Sequence, residues 1–219
     1  MDKNLNELLK WSIENQETGQ NGETGAATGV APAAAPASTL SPEAIAALFG
    51  GGPSDAELMK AAMEVITSTD PEVTLESKVT AFDNFEQLIE GLDNANNMAN
   101  LSLWTPLLSC LAHDEHDIRR MAAWCVGTAV QNNEPSQERL LAMGDAGIPA
   151  LVAMAIKEDE KEAVRRKALY ALSSAVRNYQ PGMDAFTDEL AKKGIRSGKV
   201  DAVNMEEIDK VMDDLRAKI

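Results

Sequence analysis

The feature that most constrains this fold is an internal repeat in the second half of the sequence. Residues Ile118–Pro135 align without a gap with Val164–Pro181, 46 positions later, and seven of the 18 aligned positions are identical. A weaker copy lies 41 residues earlier, with equivalent positions at Lys78, Ala81, Phe85, Leu88 and Ile89. Helical repeats of about 40 to 47 residues are typical of HEAT and armadillo proteins. The sequence therefore predicts an all-α fold, an armadillo-like α-solenoid.

Helical spacing of apolar residues continues through the segments from residue 41 onward. Aromatic residues make up only 4% of the chain, which favours helix over sheet. Ser41–Glu43 and Ser54–Glu57 resemble helix N-termini, and Met205–Leu215 forms the last predicted helix. Breaks between helices are predicted near Pro71, Gly91, Pro106, Asp114, Pro135, Gly144–Pro149, Pro181 and Gly194–Gly198.

The N-terminal 40 residues differ in composition from the rest. Leu5, Leu8, Leu9 and Ile13 have helical spacing, so residues 1–16 are predicted to form a short amphipathic helix. Of residues 17–40, 18 are Ala, Gly, Thr, Ser or Pro, which predicts a flexible linker. We therefore divide the chain into a helix at 1–16, a linker at 17–40 and an armadillo-like helical domain at 41–219.

Charge and composition exclude several classes of partner. The formal net charge is -15, from 35 acidic and 20 basic residues, and such a chain repels the phosphate backbone of nucleic acid. No apolar run approaches the roughly 18 residues of a membrane helix, and the N-terminus lacks the apolar core of a secretory signal. Two cysteines do not make a disulfide framework. We predict a cytoplasmic protein that binds neither nucleic acid nor membrane.

Motifs that support catalysis, metal binding or cofactor binding are weak. His113–Asp117 contains both histidines of the chain among acidic residues, but no third His or Cys ligand is nearby, so a solvated loop is favoured over a metal site. Gly50–Pro53 is followed by no Lys-Ser/Thr pair, so a helix-breaking turn is favoured over a phosphate-binding loop. We predict no enzyme activity, no metal and no cofactor.

The two cysteines allow a similar pair of interpretations. Cys110 and Cys125 could form a redox pair. Their repeat equivalents are Ala153 and Ala171, however, so small buried residues meet what these positions require. A structural role as small buried residues is therefore favoured over a redox pair.

Two repeat-equivalent basic clusters open the last helix of their repeats, Arg119–Arg120 and Arg165–Lys167. They could form a basic patch for an acidic surface on a partner. They could equally be paired locally with Asp114, Glu115 and Asp117 in one repeat and with Glu158–Glu162 in the other. The sequence favours neither.

The segments Gly147–Val152 and Val164–Asn178 together look like one armadillo repeat. In that fold a long third helix lines a concave face, and an Asn near its end commonly faces the groove. Asn132 and Asn178 occupy this position here, whereas the first copy has Gly91. Solenoids of this kind present extended binding surfaces, so the repeat favours an interaction module over an enzyme.

Several motifs extend the resemblance beyond the fold. They occur in the same order over residues 5 to about 180 as in the fungal nucleotide exchange factors of the Hsp70-binding-protein family. The matching segments are Leu8–Ile13, Leu48–Pro53, Leu58–Lys60, Ala81–Glu86, Leu92–Asn97, Leu103–Trp104 and Gly127–Asn133. Longer family members add further armadillo repeats, whereas only residues 183–219 remain here. The chain is thus similar to a co-chaperone family.

The resemblance implies an activity. It implies a cytosolic co-chaperone that binds the ATPase domain of a DnaK-type heat-shock chaperone and speeds ADP release. We also predict that the protein is a monomer. The alternative is an armadillo scaffold that binds an extended peptide and has no exchange activity.

The residues expected to bind the partner lie in one motif and along the predicted groove. Asn94–Asn97 can simply cap a helix, but the family resemblance favours binding. The predicted partner-binding residues are Asn94, Ala95, Asn97, Gln131, Asn132, Arg165, Arg177 and Asn178.

Overall fold

The computed structural model describes residues 53–195 and 198–218. The predicted helix at 1–16, the linker at 17–40 and the helix expected after Ser41 lie outside the described residues and stay predictions. From Asp55 onward the chain forms one compact unit. The α-helices of the described residues are α1 Asp55–Thr67, α2 Leu75–Ile89, α3 Leu92–Asn97, α4 Trp104–Ser109, α5 His116–Val130, α6 Glu134–Ala142, α7 Ile148–Ile156, α8 Glu162–Val176, α9 Gln180–Lys192 and α10 Met205–Arg216.

Every regular element of these residues is helical, which confirms the predicted all-α class. Short 3₁₀ turns follow α4 at Cys110–Ala112 and α6 at Gly144–Ala146. Helices α6, α7 and α9 each begin with a proline in the first turn, where its missing N–H has no intrahelical partner to lose. Within the described part, no single helix is long and apolar enough to cross a membrane. Helix α6 and the segment Gly144–Ile156, which are bent relative to each other, together have the length and apolar composition of a membrane span.

The sequence repeat corresponds to a stack of three equivalent helices. Helices α2, α5 and α8 have 15 residues each, and they begin at Leu75, His116 and Glu162, the offsets of 41 and 46 residues seen in the sequence. Helix α5 packs against α2 on one side and α8 on the other, and nine of its residues are buried. This arrangement of successive equivalent helices agrees with the predicted armadillo-like solenoid.

Small side chains allow the stacked helices to approach closely. Cys125 on α5 and its equivalent Ala171 on α8 are both fully buried, as predicted. The second predicted equivalence fails. Cys110 is buried, but Ala153 is exposed, because it lines an open cavity between α7 and the 3₁₀ turn that contains Cys110.

A cation at the same position of each stacked helix closes its repeat. Lys78 on α2, Arg119 on α5 and Arg165 on α8 are repeat-equivalent, and each donates to backbone carbonyls at the end of a preceding helix or turn. The acceptors are the oxygens of Ser68 for Lys78 (2.6 Å), of His113 and Asp114 for Arg119 (2.6 Å each) and of Ala155 for Arg165 (3.0 Å). Carbonyl groups at a helix C-terminus lack intrahelical donors and form the negative end of the helix dipole. A nearby cation therefore supplies the missing donors and balances the negative charge.

Two of these cations also bond to segments later in the chain. Arg119 forms a two-pronged ion pair with Glu160, at 2.7 and 2.8 Å, and this bonding lowers the pKa of the Glu160 carboxyl below its usual value. Arg165 donates to the carbonyl oxygen of Lys218 at 2.8 Å, beyond α10. Each arginine therefore joins its own repeat to a later part of the stack.

The C-terminal ends of the stacked helices use a different set of polar contacts. Asn132 and Asn178 follow α5 and α8 with positive φ angles of 51° and 58°. Among residues other than glycine, Asn adopts this left-handed conformation most readily, and it commonly ends a helix in this way. Gln137 on α6 donates to the carbonyl oxygens of Ser174 (2.9 Å) and Arg177 (3.0 Å), which satisfies the end of α8.

The final helix, α10, covers the last stacked helix. Its apolar stripe buries Ile208, Met212 and Leu215, and the Asn204 side chain accepts from the backbone N–H of Glu207 to cap its start. Arg177 joins α8 to α10 through an ion pair with Asp209. The predicted helix at residues 205–215 is confirmed, with one further residue at its end.

The buried arginine provides a stability test. Arg165→Met keeps the apolar length but leaves two backbone carbonyls without their donor, so we expect the free energy of unfolding to fall by about 2–3 kcal/mol. Arg166→Met is the matched control, because Arg166 is exposed and pairs only with Glu162 within α8, a contact worth about 0.5 kcal/mol or less. Denaturant unfolding measures both. Equal losses in the two variants would contradict the closing role of Arg165.

Candidate partner-binding surface

The exposed sides of α5 and α8 form one continuous polar and aromatic surface. Because α5 is enclosed on both flanks, it exposes only a narrow stripe. We call the surface formed by Trp124, Thr128 and Gln131 with Lys167 and Tyr170 the central face. A depression of about 310 Å³ opens beside it, towards α2 and α3.

Hydrogen bonds across the repeats fix the side chains of the central face. The hydroxyl of Thr128 donates to the Glu86 carboxylate of α2 at 2.7 Å, and Glu86 is itself buried. The hydroxyl of Tyr170 donates to the amide oxygen of Gln131 at 3.0 Å. The surface is therefore held in one arrangement by contacts between three successive repeats, which reduces the ordering cost of binding a partner.

A cation lies over both aromatic rings of the central face. The Lys167 ammonium is 3.8 Å from the ring centre of Trp124 and 5.4 Å from that of Tyr170, distances typical of cation–π contacts. Partial burial lowers the pKa of Lys167 from its ordinary value. Trp124 and Tyr170 are repeat-equivalent, so the repeat itself places the two rings side by side.

The packing of Tyr170 depends on the absence of a side chain at Gly127. A Cβ at Gly127 would lie 2.4 Å from Cε1 of the Tyr170 ring and 3.1 Å from the Cα of Ala171. Glycine here allows the ring to lie against the backbone of α5. The conformation of the central face is thus determined partly by a residue beneath it.

The predicted residues at the ends of the stacked helices are accessible. Gln131, Asn132 and Asn178 are exposed, and the first two line the depression. The backbone N–H of Asn178 donates to the carbonyl oxygen of Ala202 at 2.8 Å, which leaves its side chain available. Arg177 is half-buried, and its guanidinium donates to the hydroxyl of Ser173 and pairs with Asp209 of α10.

The asparagine motif in α3 is largely used inside the protein. The Asn94 amide donates to the carbonyl oxygen of Leu88 (2.9 Å) and to the Asp55 carboxylate (2.8 Å). Asn97 is half-buried and accepts from the Asn100 amide at 3.2 Å. These contacts support the interpretation that the motif caps and anchors helices, while leaving Asn97 partly accessible.

Two predicted partner-binding residues are not accessible in the described structure. Ala95 is only 1% exposed because α3 packs it into the core. Arg165 is 6% exposed, and its guanidinium is bonded to backbone carbonyls. That these two side chains contact a partner stays a prediction, although Ala95 does line the floor of the depression. Both positions support the fold beneath the surface.

The alternative of local ion pairing is confirmed for two of the basic residues, since Arg120 pairs with Asp117 and Arg166 with Glu162. Arg119 instead pairs with Glu160 of the following repeat. A basic patch formed by all five residues is therefore absent from the described structure. The other two residues form no ion pair within the described part of the chain: Arg165 donates to backbone carbonyls, and the ammonium of Lys167 lies over aromatic rings.

The remaining candidate sites have structural explanations. Cys110 and Cys125 are free, and burial raises the pKa of both thiols, so they stay protonated. His113 Nδ1 accepts from the backbone N–H of Glu115 at 3.0 Å, which shapes the turn before α5. Among the residues that the structure describes, no group of His, Cys, Asp or Glu is arranged to hold a metal ion.

A larger cavity, of about 820 Å³, lies between α7 and the end of α4. Its walls are mainly apolar, with Leu108, Ala150 and Met154 among them, and Arg119 and Glu160 at its edge already bond to each other. None of the predicted partner-binding residues lines it. Size alone therefore does not identify the functional surface.

The aromatic part of the central face was not among the predicted partner-binding residues. Trp124 and Tyr170 are both partly exposed. The available signal was their equivalence in the repeat alignment, because an aromatic residue on the outer stripe of two successive stacked helices must form a pair. The contribution of Lys167 follows only from its contacts.

The fold and the central face define a class of protein. A stack of helical repeats with a preorganised polar and aromatic surface is typical of a protein-binding module. Comparison with known proteins then identifies the family.

A sequence profile described as nucleotide exchange factor Fes1 matches residues 5–98. The chain is 64% identical over 220 residues to the Hsp70 nucleotide exchange factor FES1 of Gibberella zeae, covering 100% of this chain and 98% of that one. It is 58% identical over 245 residues to the Hsp70 nucleotide exchange factor fes-1 of Neurospora crassa, with the same coverage. The FES1 protein of Eremothecium gossypii is 45% identical over 184 residues, 84% of this chain and 59% of that one. This chain belongs to the Fes1 family of nucleotide exchange factors, which confirms the predicted resemblance.

Gly127 provides a test of how the central face is held. Gly127→Ala places a methyl group against Tyr170, so we expect the ring to move away from Gln131 and the free energy of unfolding to fall by about 1–3 kcal/mol. Gly198→Ala is the matched control, because Gly198 is exposed and has open space around it. Its change should stay within about 0.5 kcal/mol in the same denaturant titration. If Gly127→Ala matched the control, the close packing of Tyr170 would be contradicted.

Proposed function

We propose that this protein binds the ATPase domain of an Hsp70-type chaperone and accelerates the release of ADP. The observation that carries the proposal is the 64% identity, over the full chain, to a relative named Hsp70 nucleotide exchange factor FES1. The central face supports it, because an exchange factor needs a rigid surface that binds a folded domain.

The activity requires only a difference in binding free energy. The protein must bind the nucleotide-free chaperone more tightly than the ADP-bound chaperone, and linkage then weakens ADP binding by the same factor. A 100-fold loss of ADP affinity corresponds to roughly 2.7 kcal/mol of coupling. A surface of ordinary interface size can provide this difference.

No residue of this chain has to contact the nucleotide in such a mechanism. No covalent bond is made or broken, so the protein acts as a co-chaperone and not as an enzyme. A cytoplasmic location and a monomeric state remain predictions that accompany this role. On the surface we assign partner contacts to Gln131, Asn132 and Asn178, with Asn97 and Arg177 at its margins.

The direct test is stopped-flow release of a fluorescent ADP analogue from a cytosolic Hsp70, with and without the full-length protein. We expect an acceleration that saturates with protein concentration. Saturable binding without acceleration would contradict exchange activity and support the scaffold alternative. Absence of both binding and acceleration, across several cytosolic Hsp70 proteins, would contradict the chaperone partnership itself.

The helix-terminal asparagines can be tested without straining the backbone. Because both have positive φ, the double variant Asn132→Gly and Asn178→Gly removes the amides while keeping a conformation that glycine adopts readily. We expect the concentration for half-maximal acceleration to rise about tenfold, as two hydrogen bonds to the partner are lost. The thermal melt of the variant serves as the control for folding. A titration that superimposes on that of the unmodified protein would remove these amides from the interface.

A further inference from the structure

The position of Lys167 is not explained by the needs of the fold. Its repeat equivalent in α5 is Met121, which is 1% exposed and packs in the core. Methionine is similar in length and carries no charge. The repeat therefore does not require a charge at this position, and the partly exposed ammonium of Lys167 calls for an explanation of its own.

Lys167 also lacks the carboxylate partner that its neighbours have. Within residues 53–195 and 198–218 its ammonium forms no ion pair, and the nearest carboxylate influence is that of Glu86, which acts at longer range and already accepts from Thr128. Three arginines of these two helices and their ends are ion-paired, as Arg120–Asp117, Arg166–Glu162 and Arg177–Asp209. The ammonium is held instead over Trp124 and Tyr170, which attract it but leave its N–H donors without a strong acceptor.

The support of this ammonium is rigid and extends over two repeats. Tyr170 lies in the space left by Gly127 and donates to Gln131, so its ring is held against α5. The second ring, that of Trp124, is part of α5 itself. A partly desolvated cation between fixed aromatic rings resembles the binding hot spots of protein interfaces, where Trp and Tyr are enriched.

We propose that Lys167 is the docking cation of the central face and donates to a carboxylate in an acidic patch of the partner. This inference rests on the proposed function, because it takes the chaperone ATPase domain as the partner. The step is non-covalent. The rings of Trp124 and Tyr170 hold the ammonium in place, and the partner's carboxylate supplies the missing acceptor.

The charge of the rest of the protein favours this occupant. With a net charge of -15, the chain repels an acidic surface almost everywhere. The ammonium held over the two rings therefore favours docking of an acidic patch at the central face, as electrostatic complementarity does at other interfaces. A basic patch on the partner would instead be directed to the acidic remainder of the surface.

The experiment compares Lys167→Met with Lys60→Met in the full-length protein. Both substitutions remove one positive charge, but Lys60 is an exposed residue of α1, away from the central face. Binding of the Hsp70 ATPase domain is measured by calorimetry at several salt concentrations, together with the ADP-release titration. A thermal melt checks that each variant is folded. We expect Lys167→Met to fold, because the equivalent position of α5 already has a methionine.

The expected result is specific to the Lys167 variant. Lys167→Met should weaken binding by at least about tenfold at low salt and flatten the salt dependence, because one charge pair is lost. The maximal rate of ADP release at saturating protein should stay the same. Lys167→Arg keeps the charge and should retain the salt dependence, while Lys60→Met should behave like the unmodified protein.

Two outcomes overturn the inference, and they are distinguishable. If the unmodified protein accelerates ADP release but Lys167→Met and Lys60→Met bind equally well with the same salt dependence, the docking role of Lys167 fails and the proposed function stands. If the unmodified protein neither binds the ATPase domain nor accelerates release, the proposed function fails and the inference fails with it.

Discussion

The solenoid depends on the cation that closes each repeat. Helices joined by sharp turns leave carbonyl oxygens unsatisfied where each helix ends, and burying these groups is costly. Lys78, Arg119 and Arg165 meet this requirement from one repeat position, and the two arginines also bond to segments later in the chain. Their side chains therefore join successive parts of the stack at defined points.

The central face is a consequence of this stacking. Because α5 is held tightly between α2 and α8, only a narrow stripe of it remains exposed, and that stripe is brought within reach of side chains from both neighbours. Thr128 reaches Glu86 on one side, and Gln131 receives Tyr170 on the other. Folding and partner binding are thus linked, since the contacts that stack the repeats also fix the surface that a partner meets.

The sequence was a good guide wherever the repeat was the signal. The helical class, the breaks at prolines and the burial of Cys125 could all be predicted from periodicity and alignment. The site was harder to predict. Arg165 and Ala95 were chosen from position and resemblance, but whether a side chain points to solvent or to a carbonyl depends on packing between distant segments. Asn132 was selected for its amide, although its left-handed backbone already accounts for an asparagine there.

The burial of Cys125 has a consequence for how the stack opens. Its sulfur lies 3.9 Å from the carbonyl oxygen of Phe82, at the contact between α5 and α2, and the side chain is fully buried. A thiol-reactive dye can reach it only when these two helices separate. In repeat proteins such separations occur locally, with free energies below that of complete unfolding. The labelling rate of this one sulfur therefore reports how often the first two stacked helices part within the otherwise folded protein.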